Sequence, residues 1–492
     1  MSEKILVAGS GIAGLGLALA LAGPKREILF LDRDPPPPAA SVDEAFHSWE
    51  RKGATQLRHS HVFLGRLLAL IRTRHPALYS TLLDEGARVL AMPESMPMRL
   101  AARYVPEPGD ADLAFLFSRR TTLELVIRRY AATLPGVAFL TEAAARGIVT
   151  ACEPGGGLRV AGLKVECGGR VEEMRADVTV DATGRTTNFP DWFAAAGARV
   201  EAEESPAGIL YYTRHYRLKD GAGEPSRDPH PGAGDLGYIK YGVFLADNRH
   251  FSITLAVPEI EEELRMAVLK PEIFDAIVGA IPGARRWIES ERAEPVTKVF
   301  AMGNLRSAWL HYVRDGEPIA LGFFAVGDSA IRTNPLYGRG CSAAVIHAHA
   351  LAETLDATRD ARARALHFAR SSRDTLRPFY DIMVRQDEQA IRRAKAECDP
   401  AHRPSLKGRI VRSFVEDAIG PASRGDLAVH RAVMRGFHMI AHPEAWLREP
   451  AMLARVLAWW AVPRFVKRAR SMYPPPLGPA RADMLKRLGL AI

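Results

Sequence analysis

The stretch Ile5-Leu6-Val7-Ala8-Gly9-Ser10-Gly11-Ile12-Ala13-Gly14, which leads into an Ala/Leu-rich segment ending at Leu21 and then into Ile28-Leu29-Phe30-Leu31-Asp32, decides the fold. Ile5–Ala8 and Ile28–Leu31 are short apolar runs of the kind that form fully buried strands, and the residues between have helix composition. The glycines stand where the first strand turns into the helix. Gly9 permits a tight turn, Gly11 lets the backbone approach a phosphate, and Gly14 permits close helix–strand packing. The N–H groups of Ile12 and Ala13 at the helix start would face an anion. Asp32, with Arg33 beside it, closes the second strand about 20 residues on, where a carboxylate accepts ribose hydroxyls. The reading is a strand–loop–helix–strand unit that binds a dinucleotide.

Working outward, the run Pro35–Pro38 ends this unit as a surface connection, because proline has no N–H to give to a sheet. Helical spacing runs from Thr121 to Ala132, and Ala176–Ala182 reads as another buried strand. Between about residues 205 and 258 the character changes: Ile209–Tyr216, Gly237–Phe244 and Phe251–Val257 are rich in aromatic and β-branched residues, which are sheet signals. A strand returns at Phe323–Val326, followed by a Gly-rich turn and a helix from about Cys341 to Leu355, and the last third is helical in pattern. The expected class is α/β with an α+β insert. It comprises a discontinuous Rossmann-like domain (1–198 and 300–375), an inserted antiparallel substrate sheet (199–299) and a basic helical region (376–492).

Composition narrows the function classes. The chain has 492 residues, 47% of them hydrophobic, enough for a large core and more than one domain. Cys152, Cys167, Cys341 and Cys398 are too scattered for a disulfide framework and none has metal-ligand spacing, which predicts a reducing, cytoplasmic location and no metal. From residue 401 onward there are 16 Lys+Arg against 6 Asp+Glu, whereas the first 400 residues hold 50 against 51, so the net charge of +9 resides in the tail. Such a tail is either a solvated helix face or a contact for an anionic membrane surface. No nucleic-acid motif accompanies it, and none is expected as a partner.

The choice of dinucleotide comes from Ala325-Val326-Gly327-Asp328-Ser329-Ala330 and Asn334-Pro335-Leu336-Tyr337-Gly338-Arg339-Gly340-Cys341. With these motifs the chain resembles, over roughly residues 1–355, the FAD-dependent monooxygenases of the aromatic-hydroxylase superfamily. The resemblance implies that Gly327 and Asp328 hold the FAD ribitol and pyrophosphate region. It also implies that Pro335, Gly338, Arg339 and Gly340 run along the isoalloxazine, with Cys341 a packing residue beside it. The helix starting near Cys341 would point its positive end at the flavin. Phe117-Ser118-Arg119, leading into a helix with Glu124, implies Arg119 at the FAD phosphates and Arg120 as its solvated neighbour.

Two stretches point to a branch. Val180-Asp181-Ala182-Thr183-Gly184-Arg185 stands where many aromatic hydroxylases carry Asp-Gly, and looks more like the flavin epoxidases and geranylgeranyl reductases; Asp181 and Gly184 thereby join the expected cofactor set. Gln56-Leu57-Arg58-His59-Ser60-His61 resembles a Gln-x-x-His-x-His stretch of epoxidases acting on polyenes, which implies a lipid-, polyene- or aromatic-type substrate. His59 and His61, on one face of an extended segment, either line the pocket or satisfy buried backbone groups. Tyr211 and Tyr238 are pocket candidates; together with Tyr212, Tyr216 and Tyr241 they are equally the tyrosines any sheet collects.

The resemblance implies transient reduction by NAD(P)H and oxygen transfer through a C4a-hydroperoxyflavin. No second GxGxxG follows a strand, so no permanent NAD(P)H domain is expected. The alternative is a flavin-dependent reductase of isoprenoid double bonds. A halogenase is less favoured, because there is no Trp-x-Trp-x-Ile and Lys52 is the sole lysine between Asp32 and Arg119. A lipid carrier that has lost flavin is opposed by the presence of Asp32 and Asp328.

Overall fold

The computed structural model describes residues 2–153, 157–227, 229–397 and 405–490; Cys398 lies outside them. Its centre is a five-stranded parallel sheet in the order Phe323–Ala325, Val178–Asp181, Glu3–Ala8, Arg26–Asp32, Val137–Thr141. Both faces are covered, as a parallel sheet requires. Side chains alternate along the first strand, so Ile5 and Val7 enter one core and Leu6 and Ala8 the other. The first core is filled by the helices Ile12–Leu21, Arg120–Ala131 and Gly340–Ala357. The second is closed by an antiparallel meander of Ala143–Cys152, Leu158–Cys167 and Arg170–Arg175, which the sequence reading did not resolve.

The inserted module is an antiparallel sheet in which Ile209–Leu218 pairs with His250–Pro258 from Ile209↔Pro258 to Arg217↔His250, with Lys240–Leu245 on the far side. The helices Glu262–Ala267 and Pro271–Ala280 bury one face of it, using Leu264, Phe274, Ile277 and Val278. Ile209–Tyr216 and Phe251–Val257 lie within strands as expected, because their β-branched and aromatic residues pack well on a pleated surface, whereas of Gly237–Phe244 only the part from Lys240 onward is strand and Gly237–Tyr238 form a bend.

One continuous helix, Ala361–Glu397, spans residue 375 and passes through Pro378. The chain end then returns to the inserted sheet, where Met484 and Leu485 of the helix Arg481–Leu488 are buried in that core. Arg481 pairs there with Glu261 at 2.8 Å. Among the described residues, no helix is long and apolar enough to cross a membrane.

Candidate cofactor site

The phosphate loop has the geometry its glycines suggest. Gly9 sits at φ +103°, and a Cβ there would collide with the Ala182 carbonyl on the adjoining strand end. A Cβ on Gly14 would collide with the Gly9 carbonyl, so the helix lies against the turn itself. Around Gly11, by contrast, nothing lies within 4 Å of a Cβ position. That open space fronts the N-terminus of Ile12–Leu21, which has no side-chain cap, leaving the first-turn N–H groups available to an anion. These residues fit a pyrophosphate: a donor-lined cradle that a side chain on Gly11 would fill.

Motifs more than 300 residues apart in sequence meet here. Gly327 is wedged between the starts of two helices: its Cβ position is 2.8 Å from Ala13 and 3.3 Å from Ala344 of Gly340–Ala357. One turn further, Gly16 packs on Val345 and Ala348 at 3.3 Å. The two helix N-termini therefore lie side by side, both without side-chain caps, with Asp328 next to them. The Asp328 carboxylate is about a quarter exposed and lies 4.0 Å from Arg185; enclosure in the cleft raises its pKa. Cys341, at the start of the second helix, is buried, and burial pushes its pKa to about 11, so it is a packing thiol.

The two neighbouring arginines are both buried but have different partners. Arg119 is buried and donates to Asp247 from the backbone N–H at 2.6 Å and from Nε at 3.0 Å, with a further contact to Asp43 and the Phe46 ring beneath, while its Nη1 has no hydrogen-bond partner among the described residues. It fastens the inserted sheet to the nucleotide domain. Arg120, expected in solvent, is also buried. Its Nε donates to Glu124 at 2.7 Å, its Nη1 is 3.2 Å from His61 Nε2, and it lies within electrostatic reach of Asp328 and Cys341. Burial alone would lower its pKa, but Glu124 outweighs this and raises it. Asp328 therefore has the guanidinium groups of Arg120 and Arg185 in its surroundings.

Asp32 ends its strand as expected, but in company. Ser10 donates to it, the Asp34 N–H donates at 3.0 Å, and Arg51 donates at 3.2 Å. Arg51 also binds Asp34 at 3.3 Å and Glu124 at 3.2 Å and lies over Trp49, so one buried guanidinium bridges three carboxylates. A ribose hydroxyl must share Asp32 with Arg51. No local pattern marks Arg51; only the fold assembles its three partners. Arg33 is exposed, donates to the Lys52 carbonyl, and borders an open surface cleft with Glu142 and Arg146.

Asp181 has protein partners at both carboxylate oxygens. It is fully buried and saturated by Thr183 N–H (2.9 Å) and Oγ1 (2.6 Å), Thr187 (2.5 Å) and Ser329 (3.0 Å). Ser329 in turn accepts the Gly184 N–H at 2.9 Å, so Asp181 ties the strand end to the Gly327–Ser329 turn. In the loop from Pro335 to Cys341, Gly338 adopts φ +64° and lies close to Val62, while the Gly340 Cβ position meets only Thr333 Oγ1, at 3.4 Å. The Arg339 guanidinium is buried between the Tyr337 and Phe379 rings, and its Nε and Nη1 have no hydrogen-bond partner among the described residues.

The pocket candidates divide. Gln56–His61 is a series of turns rather than an extended segment, so the two histidines do not share a face. His59 Nδ1 meets Thr213 on the inserted sheet at 3.0 Å, and burial lowers its pKa to about 4. His61 Nδ1 meets the His59 carbonyl at 2.8 Å and turns its other nitrogen to Arg120. The segment thus bridges the sheet and the cofactor cleft. Tyr211 donates to Asn334 of the flavin-side loop at 2.7 Å. Tyr238 is a correction: its hydroxyl donates to the Pro479 carbonyl, inside the core shared with the C-terminal helix. Tyr212, Tyr216 and Tyr241 similarly satisfy their hydroxyls on Arg265 O, Asp275 and Pro231 O. No group of metal ligands occurs among the described residues.

Comparison with solved structures places this arrangement. PqsL of Pseudomonas aeruginosa, a probable FAD-dependent monooxygenase, superposes with a TM-score of 0.55 at 16% identity, over 80% of this chain and 98% of that one. The flavin-dependent brominase Bmp2 gives 0.58 at 14% identity over 93% and 98%. The p-nitrophenol 4-monooxygenase PnpA of Pseudomonas putida gives 0.57 at 13% identity over 89% and 98%. The chain has the fold of flavin-dependent monooxygenases and halogenases. Within that fold, the helix after the loop Gly9–Gly14 and the helix after the turn Pro335–Gly340 meet at Gly327. No family model matches the chain. Protein Rv3254 of Mycobacterium tuberculosis is 25% identical over 405 residues, 78% of this chain and 79% of that protein.

Proposed function

We propose that the chain is an FAD-dependent monooxygenase that hydroxylates or epoxidises an apolar lipid-, polyene- or aromatic-type molecule, with NAD(P)H as a transient reductant. The observation that carries this reading is the meeting at Gly327 of two uncapped helix N-termini, one behind the open Gly11 cradle and one behind the Pro335–Gly340 turn. The first would hold a pyrophosphate by its N–H groups and the second would face a flavin ring with positive potential. FAD, when bound, supplies the redox and oxygen-activating chemistry.

The chain's own residues bind and orient. Asp328 accepts hydroxyl hydrogen bonds at the cleft floor, and Arg120 offsets the charge there while Glu124 holds its guanidinium in place. His61, stacked 6.1 Å from Phe63, and the Gln56–His61 turns close the side toward the inserted sheet, where exclusion of water protects a reactive centre. His59 and His61 are held neutral near pH 7 by burial, so neither adds a positive charge to an apolar substrate's path. The likeness of Gln56–His61 to polyene epoxidases supports the substrate class.

Purified protein is expected to be yellow, with NAD(P)H oxidation stimulated by polyene or aromatic candidates. Mass spectrometry of the product then decides. Gain of one oxygen atom supports the monooxygenase; gain of two hydrogens without oxygen replaces it by the double-bond reductase, and colourless protein overturns both.

The periphery supports contact with an anionic membrane as part of the same proposal. The basic helix Leu406–Ser413 has no buried residue and exposes Leu406, Ile410 and Val411 beside Lys407, Arg409 and Arg412. Phe465 is 73% exposed on the helix Arg464–Ala469. Apolar and basic groups displayed together suit a lipid interface.

A further inference from the structure

Asp387 lies on the helix Ala361–Glu397, outside every motif, and is buried at 2% exposure. Its Oδ1 accepts hydrogen bonds from Asn334 Nδ2 and from the Tyr337 hydroxyl, both at 2.8 Å. Asn334 uses its own Oδ1 to accept the Tyr211 hydroxyl at 2.7 Å and the Leu336 N–H at 3.0 Å. A single carboxylate therefore joins three elements: the long helix, the turn that borders the cofactor cleft, and the first long strand of the inserted sheet. Asp387 Oδ2 is buried without a hydrogen-bond partner among the described residues and abuts a small pocket walled by Gly208, Ile209, Leu336 and Ile391. Leaving an acceptor unpaired is costly, and such a cost persists where the group has another task.

We propose that Asp387 is the positioning residue of the turn Asn334–Gly340, that its carboxylate clasps this turn to the long helix and through Asn334 to Tyr211, and that its protonation state sets how firmly the turn is held. Hydrogen bonds to an ionised acceptor are the stronger ones, so the clasp is tightest in the carboxylate form. The charged and titratable groups facing it are Tyr337 and Tyr211, then Lys240, which pairs with Asp235 at 2.5 Å, and Arg393, 3.7 Å from the same Asp235; Arg339 lies over the Tyr337 ring. Burial raises the Asp387 pKa to about 6, with the bonds from Tyr337 and Asn334 and the charge of Lys240 holding it from rising further.

The sign of the linkage makes the proposal testable without activity. The folded-state pKa lies above the ordinary value of 3.8, so ionised Asp387 costs stability. That cost is complete above about pH 6 and vanishes as pH falls toward 3.8. Asp387→Asn keeps an acceptor oxygen but is always neutral. Its Tm, compared with that of the unmodified protein, is expected to show a gain that grows from pH 4 to pH 6 and is level above. The inference about the turn rests on the flavin reading, so the second readout is NAD(P)H-driven flavin reduction in the holoenzyme. The unmodified protein is expected to show an inflection near pH 6 that Asp387→Asn lacks, and Asp387→Ala to be slower by about ten-fold across the range. A Tm difference that does not vary with pH, an inflection retained in Asp387→Asn, or wild-type reduction in Asp387→Ala overturns the proposal. Protein that carries no flavin defeats the monooxygenase reading, and the Tm comparison then decides the clasp by itself.

Discussion

At the scale of single residues, the cleft is held by arginines in unequal roles. Arg51 pairs with Asp32, Asp34 and Glu124 with almost no access to water. Arg51→Leu leaves three buried carboxylates short of a cation and is expected to cost about 3–5 kcal/mol, read from denaturant unfolding. A change within ±0.5 kcal/mol would show the carboxylates to be solvated instead. Arg119 and Arg120 separate by phenotype. Arg119→Ala strands Asp247 and should lower stability first, whereas Arg120→Ala should lower flavin content in a protein that still folds, because Glu124 retains Arg51. Asp328→Ala is expected to weaken FAD binding by about 1–3 kcal/mol with the melting temperature of the flavin-free protein unchanged. Flavin titration of the stripped variants measures this directly.

At the scale of elements, the phosphate loop contains glycines that fail differently. Gly14→Ala drives a methyl group into the Gly9 carbonyl and Gly16→Leu forces apart the helices Ile12–Leu21 and Gly340–Ala357, so both should lower stability, by about 1–3 kcal/mol for overpacking. Gly11→Val has open space and should fold, yet emerge largely without flavin, since its side chain occupies the pyrophosphate cradle. Full flavin occupancy in Gly11→Val would remove the cradle assignment. Gly340→Val is expected to retain flavin and slow its reduction, because the ADP half is held elsewhere.

At the scale of the whole molecule, acid should unfold the protein through its histidines. Burial lowers the pKa of His59, His250, His349 and His438 to about 4 and of His215 and His347 to about 3. The unfolded chain takes up protons near its ordinary 6.5 while the folded chain does not, so stability is complete above about 6.5 and falls steadily as pH drops toward 4. Thermal scans across that window should show a monotonic loss. The exposed apolar and basic surface of Leu406–Ser413 and Phe465 makes a second global prediction: sedimentation with anionic vesicles at low salt, weakened by Ile410→Asp or by salt. Equal recovery with neutral and anionic vesicles would leave a protein partner or a second copy as the occupant of that face.

The sequence by itself determined the nucleotide unit, because glycine spacing, strand apolarity and the terminal carboxylate of Asp32 are local properties of the chain. It also marked the aromatic sheet insert and the loop from Gly327 to Gly340, each a short-range pattern. Only the tertiary structure decided the partners of Arg119 and Arg120, since the two are neighbours in sequence and Asp247, which accepts from Arg119, is more than 120 residues away. The same holds for Arg51, Asp387 and the return of the C-terminal helix, and for Tyr238, whose partner is the Pro479 carbonyl. Ion pairs and hydrogen bonds of buried groups are fixed by which elements pack together, and long-range packing leaves no periodicity in the chain for a local reading to detect.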